Sequence, residues 1–231
     1  MTAGARVSFI VPAYNEAATI AEVLARVDAL QLDKQVVVVD DGSTDETPRV
    51  LDEWADRDGI HVIRQQNRGK GAAIRAAIPL LDGDIAVIQD ADMEYGPAEV
   101  PSLIEPIRSG AADVVFGSRL SGGRPQRAYL FWHLVGNRFL SLLTNVLYNT
   151  TLSDMETGYK AFRTDVLRSL DLREDDFGIE PEITAKVCKR GLRVYELPIS
   201  FYGRSYAEGK KITWRDGFKA IFVLLRVRFF D

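Results

Sequence analysis

The sequence predicts an α/β protein built on a mixed, mostly parallel sheet flanked by helices. Short β-branched runs alternate with amphipathic stretches over about the first 120 residues, the pattern of parallel strands joined by helices. Two runs, VVVVDDGSTD (Val36 to Asp45) and DIAVIQDADMEY (Asp84 to Tyr95), have the length and composition of buried parallel strands. Both run out into carboxylates where a strand should stop, and open α/β sheets bind ligands beyond the carboxyl ends of their strands. Asp40, Asp41, Asp90 and Asp92 are therefore expected to meet in one crevice, where their repulsion calls for a cation.

The elements follow in order. Val7 to Val11 reads as a strand ended by Pro12, and Ala17 to Leu30 as a helix with Ile20, Val23, Leu24 and Val27 on one stripe. A strand at Gln35 to Val39 precedes a helix from Asp45 to Asp56; a strand at Ile60 to Arg64 precedes an Ala-rich helix at Gly71 to Leu81. Ile85 to Gln89 is the next strand, Ala98 to Arg108 a helix, and Asp113 to Phe116 a strand. After Gly117 the pattern loosens. A long apolar helix is expected at Ala128 to Tyr148, a strand at Tyr159 to Arg163, and helices at Thr164 to Leu170 and Ile179 to Lys189. Strand structure broken near Pro198 should fill Arg193 to Phe201, and Trp214 to Phe230 should form a basic amphipathic helix.

Composition narrows the class. At 231 residues, 46% hydrophobic and 27% charged, the chain suits one soluble catalytic domain. It divides into a ligand-binding half at 1–120, a second half at 121–213 and the terminal helix at 214–231. A net charge of −4 argues against nucleic acid as partner. The single cysteine, Cys188, forms no internal disulfide and fits a reducing compartment. The N-terminus enters a strand with no signal-peptide core, and no apolar run is long enough to span a bilayer. Basic residues gather late: Arg119, Arg124, Arg127, Arg138, then Arg204, Lys210 and Lys211 and the terminal helix.

Four motifs carry chemistry. PAYNE (Pro12 to Glu16) leaves the first strand with a ring and a carboxylate, although Asn15 could equally cap a helix there. DDGSTD makes a glycine-dependent turn, and Asp41 is a candidate to recognise a base or ribose. NRGKGAAIR (Asn67 to Arg75) sets Lys70 beside a helix start suited to an anion, without P-loop spacing. QDADMEY is the sharpest. Alternation along an extended segment aims Asp90 and Asp92 the same way, with Glu94 one step on. Such oxygen ligands suit Mg²⁺ or Mn²⁺, which fill their remaining positions with water and substrate phosphates.

With these motifs in order, and with GSR (Gly117 to Arg119), DMETGYKAF (Asp154 to Phe162), FGIEPEI (Phe177 to Ile183) and YGRSYAEGKKITWRDG, the chain resembles the family 2 glycosyltransferases of the GT-A fold. It is most similar to the polyprenyl-phosphate sugar transferases. The resemblance implies nucleotide-sugar contacts at Pro12, Tyr14, Glu16, Asp41, Lys70, Asp90, Ala91 and Asp92, and a metal at Asp90, Asp92 and Glu94. It implies phosphate contacts at Arg119, Arg127, Arg204 and Lys210 or Lys211, and a sugar neighbour among Glu180 and Glu182. The implied reaction moves a hexose, mannose favoured, from GDP-mannose or UDP-glucose to a polyprenyl or dolichyl phosphate with inversion. A phosphate acceptor is already anionic and needs no general base; an alcohol acceptor would, with Asp154 the first candidate. Transfer to a glycan or small-molecule hydroxyl, and a non-catalytic nucleotide-sugar-binding subunit, are the alternatives.

The terminal helix sets Phe218, Ile221, Phe222, Leu225 and Phe229 at helical spacing, punctuated by Arg and Lys. It is expected to lie on the cytoplasmic face of a membrane, so that the enzyme is peripheral. A membrane-anchored partner subunit is possible. Phe131, Trp132, Leu134, Val135 and Phe139 would add a second apolar surface.

Overall fold

The computed structural model describes residues 4–127, 131–204 and 214–231, the side chain of Trp214 excepted. Seven strands, β1 (Val7–Ala13), β2 (Lys34–Asp40), β3 (Ile60–Arg64), β4 (Ile85–Ile88), β5 (Val114–Ser118), β6 (Lys160–Arg163) and β7 (Val194–Pro198), form one sheet in the order β3-β2-β1-β4-β6-β5-β7. Neighbours are parallel except β6, which runs against both β4 and β5. The sheet therefore takes strands from both halves of the sequence, and the mostly parallel α/β expectation holds.

Alternation sorts the strand residues between two cores. Val36 and Val38 face the layer of α1 (Ile20–Asp28) and α4 (Val100–Arg108). Val37 and Val39 face α3 (Lys70–Ala77), α6 (Thr164–Ser169) and α7 (Ile179–Lys189). None of the four valines is more than 3% exposed, and burial of each stabilises the fold by roughly 2 kcal/mol relative to solvent. A third cluster joins α5 (Phe131–Tyr148) and α8 (Trp214–Phe229) to α7 through Leu140, Tyr148, Ala185, Val223 and Leu224. The helix expected at Asp45 to Asp56 shortens to α2 (Thr47–Asp52), since Asp45 caps from outside by accepting from the Thr47 amide at 2.9 Å.

α8 has two faces. Ala220, Val223, Leu224 and Val227 are buried, while Phe218, Phe222, Leu225 and Phe229 stand exposed. On α5, Phe131, Val135, Phe139, Leu142 and Val146 repeat the exposed stripe at helical spacing. Ile221, assigned to the exposed stripe from sequence, instead packs against the third cluster. No helix among the described residues is long and apolar enough to cross a membrane.

Candidate active site

The carboxyl ends of β1, β2 and β4 open onto a cavity of about 390 Å³. Pro12, Tyr14, Glu16, Asp41, Lys70, Asp90, Ala91, Asp92, Glu94, Arg119, Glu180 and Arg204 all line it. Most of the residues singled out in the sequence are thus brought together, at the edge where a parallel sheet offers its ligand site.

Asp40 is the first exception. Adjacent strand residues point to opposite faces, so Asp40 and Asp41 cannot share one site. Asp40 turns into the protein, where its carboxylate accepts from the Ser43 amide at 3.0 Å and lies 4.0 Å from Arg64. Asp41 turns into the cavity wall and accepts from Gln65 Nε2 at 2.7 Å, the Arg68 amide at 3.0 Å and the Gly69 amide at 2.7 Å. It holds the Asn67–Lys70 loop in shape while facing the cavity. Gly42 permits the turn: its φ is +73°, and a Cβ there would sit 2.7 Å from the Asn67 nitrogen.

The segment after β4 is a turn from Ala91 onward, not the extended run that alternation implied, with Met93 at φ +61°. The Glu94 amide donates back to Asp92 Oδ1 at 3.0 Å and closes the turn. Asp90, Asp92 and Glu94 nonetheless line the same cavity. The carboxyl of Glu94 is engaged elsewhere, accepting from the Arg204 amide at 2.6 Å. Of the three, Asp90 and Asp92 are the pair proposed to hold a divalent ion. Among the described residues no group of three or more acidic, His or Cys side chains is arranged as a metal cage, so the other ligands would have to be water and phosphate oxygens. The donor chemistry fits Mg²⁺ or Mn²⁺ on that basis. Burial, with Asp90 and Glu94 beside it, pushes the Asp92 carboxyl up to about 7, a site short of positive charge.

Side-chain cations partly meet that need. Lys70 Nζ lies 2.7 Å from Asp90 Oδ1 and 3.0 Å from Glu180 Oε1. Burial opposes its charge, but Asp90 and Glu180 outweigh burial and hold the Lys70 pKa above the ordinary lysine value. At the start of α3, where an anion was expected, two amides already have acceptors: Ala72 donates to Asp175 O at 2.8 Å and Gly69 to Asp41 at 2.7 Å. Arg204 reaches Glu16 at 3.0 Å and Asp92 at 3.1 Å, closing the cavity from the opposite rim.

Arg119 is fixed by two bonds to Asp154, at 2.6 and 2.7 Å. Asp154 is fully buried and also accepts from Asn137 at 2.9 Å. Burial opposes its charge, yet Arg119 holds its pKa below the usual carboxylate range. It does not line the cavity, so its assignment as general base is replaced by that of anchor for Arg119. Of the two helix acids, Glu180 faces the cavity. Glu182, two residues on and turned away, caps the preceding loop by accepting from the Arg173 amide at 2.9 Å and the Glu174 amide at 2.8 Å. Arg127 lies outside the cavity lining and donates to Gly203 O at 3.0 Å, tying down the segment that carries Arg204. Lys210 and Lys211 lie outside the described residues.

Sequence reasoning missed Tyr95, Glu156, Gly158, Phe177 and Asp216, all on the cavity wall. Gly158 had a readable signal in its motif. A Cβ there would sit 2.5 Å from Asp90 Oδ2 and 2.7 Å from Lys70 Nζ, so a larger residue would push the ends of these two side chains aside.

Residues 8–171 match the family described as Glycosyl transferase family 2. The chain belongs to that family. Within the family, it is 33% identical over 219 residues to an undecaprenyl-phosphate mannosyltransferase of Micrococcus luteus, covering 89% of this chain and 87% of the relative. Against a polyprenol monophosphomannose synthase of Mycolicibacterium smegmatis the identity is 31%, covering 89% and 80%. The chain spans only 63% and 52% of two Haloferax volcanii relatives, glycosyltransferase AglJ and the low-salt glycan biosynthesis hexosyltransferase Agl6. In structure it is similar to glucosyl-3-phosphoglycerate synthase from Mycobacterium tuberculosis, solved with Mn²⁺, UDP and phosphoglyceric acid. The TM-score is 0.76 at 22% identity, over 99% of this chain and 80% of that one. That likeness establishes the GT-A fold for this family 2 chain.

Proposed function

We propose that this protein moves a hexose, with mannose favoured, from a nucleotide diphosphate sugar to a polyprenyl phosphate. One observation carries the proposal: a single cavity presents Asp90 and Asp92 beside Arg119 and Arg204, one pole for a leaving diphosphate with its cation and one for a second anion. The relatives named for polyprenyl-phosphate mannosyl transfer support it, and GDP-mannose is the favoured donor on the same ground. A divalent ion held by Asp90 and Asp92 would neutralise charge on the departing diphosphate.

The chain's own residues orient the reactants. Pro12, Tyr14 and Asp41 form the wall toward the base and ribose. Arg119, locked by Asp154, offers a preorganised cation to the acceptor phosphate. An acceptor oxygen forms its bond to the anomeric carbon as the bond to the diphosphate breaks, and that electron pair leaves with the nucleoside diphosphate. The acceptor's second pKa is about 6, so no proton need be removed. Asp154, committed to Arg119, is not available as the base that a hydroxyl acceptor would need.

The exposed stripes on α5 and α8 support contact with the cytoplasmic face of a membrane, where the lipid acceptor resides. Since the opposite face of α8 is core, deletion of the helix would disturb folding. Phe139→Ser with Phe222→Ser is the cleaner change, and should abolish sedimentation with anionic liposomes at unchanged melting temperature. For the reaction itself, the protein is incubated with Mn²⁺ and radiolabelled GDP-mannose or UDP-glucose, offering polyprenyl phosphate or an oligosaccharide. Label should enter the organic phase with the lipid acceptor; label found only on the oligosaccharide would replace this function with the hydroxyl-acceptor alternative.

A further inference from the structure

The turn between Asp154 and Lys160 is held on every side of Glu156. Glu196 accepts from the Ser153 amide at 2.8 Å and the Asp154 amide at 3.1 Å. The Met155 amide donates to Ser141 Oγ at 3.1 Å, and Thr157 Oγ1 donates to Gly117 O at 2.6 Å. Lys160 is fully buried and donates to Glu180 Oε2 at 2.6 Å. Within this frame Glu156 lines the cavity, and its Oε1 is buried with no hydrogen-bond partner among the described residues. A buried carboxyl oxygen without a donor is destabilising unless a bound molecule supplies one. Burial first, then the neighbouring Glu180, push this carboxyl up to about 7.

The surroundings select the donor. Lys160 and Arg119 stand near this carboxyl, and the divalent ion is assigned to Asp90 and Asp92, so the donor left for Oε1 is an uncharged one. Hydroxyl groups donate without adding charge. Position narrows the choice further. Two residues before Glu156, Asp154 anchors Arg119; two residues after it, Gly158 backs onto Asp90. Glu156 thus stands between the group proposed for the incoming phosphate and the group proposed for the leaving diphosphate, where the transferred sugar must lie.

Resting on the proposed function, we infer that Glu156 accepts hydrogen bonds from hydroxyls of the transferred hexose, fixing the ring and discriminating among sugars. It is a specificity residue for the sugar and takes no part in holding the nucleotide. The test is calorimetry with Mn²⁺ on the unsubstituted protein, Glu156→Ala and Glu156→Gln, titrating GDP and UDP against GDP-mannose and UDP-glucose. Glu156→Ala should weaken binding of the preferred nucleotide sugar about tenfold and leave the nucleoside diphosphate unmoved. Glu156→Gln keeps an acceptor oxygen and should lose less. Without ligand, Glu156→Ala should melt at or above the unsubstituted protein, since an unsatisfied group has been removed. Equal weakening of diphosphate and sugar, or no change in either, overturns the inference; if the alanine variant does not fold, the glutamine variant decides by the same comparison. Absence of nucleotide-sugar binding by the unsubstituted protein would overturn the proposed function as well, whereas binding with an unmoved ratio overturns this inference alone.

Discussion

The acidic ends of β2 and β4 look alike in sequence and are stabilised differently. Asp40 and Asp41 are held chiefly by main-chain amides, of Ser43 for the first and of Arg68 and Gly69 for the second. Asp90 and Asp92 face side-chain cations, Lys70 and Arg204, with one amide from Glu94. Amide donors are fixed by the fold and cannot be exchanged for a ligand. Side-chain cations can swing aside. The first pair therefore builds a loop, and the second forms a site whose counter-charge is replaceable.

That contrast can be tested from its strongest consequence downward. Asp90→Ala should lower transferase turnover about 10³-fold, a typical effect of removing a preorganised charge-stabilising group, while leaving the melting temperature unchanged or raised. An equal collapse of stability would place Asp90 with the structural pair. Asp41→Ala should cost about 3 kcal/mol in urea unfolding, because the Arg68 and Gly69 amides lose their acceptor; a loss below ~1 kcal/mol would break the comparison. Next comes pH. The Asp92 carboxyl titrates near 7 when folded against 3.8 as its ordinary value. The folded chain thus keeps a proton that the unfolded chain releases, and this group's contribution to stability falls as pH rises from about 4 to 7. Mn²⁺ must displace that proton, so its affinity, followed by thermal shift, should rise about tenfold per pH unit up to 7 and level off above it. A pH-independent Mn²⁺ response would mean that Asp92 is not a ligand. The smallest effect belongs to Asp40→Asn, about 1 kcal/mol in the same unfolding measurement, with turnover unaltered.

Much of this was legible in the chain. Continuous β-branched runs ending in carboxylates identified the sheet, its ligand edge and most of the cavity wall. The errors have physical causes, and one could have been avoided from geometry alone. Asp40 and Asp41 are neighbours on a strand and must diverge. The choice left open between Glu180 and Glu182 needed the structure, since a helix turns residues two apart to different faces without saying which face meets the cavity. Other features lay beyond local pattern. Asp154 passes for a base until Arg119, distant in sequence, is seen locked onto it. Glu156 is singled out by an Oε1 without a partner among the described residues, which no motif records. Phe177 and Asp216 reach the cavity only because α7 and α8 pack together in the third cluster.

The reversed direction of β6 has one more effect. A strand running against its neighbours begins at the edge where they finish, so the turn from Asp154 to Lys160 is delivered to the mouth of the cleft. The spacing between Arg119, anchored by Asp154, and Asp90, backed by Gly158, thereby becomes a length of peptide, set when the protein folds and not when a ligand lands. One inserted residue in that turn would change the distance between Arg119 and Asp90 while leaving the local partners of each in place.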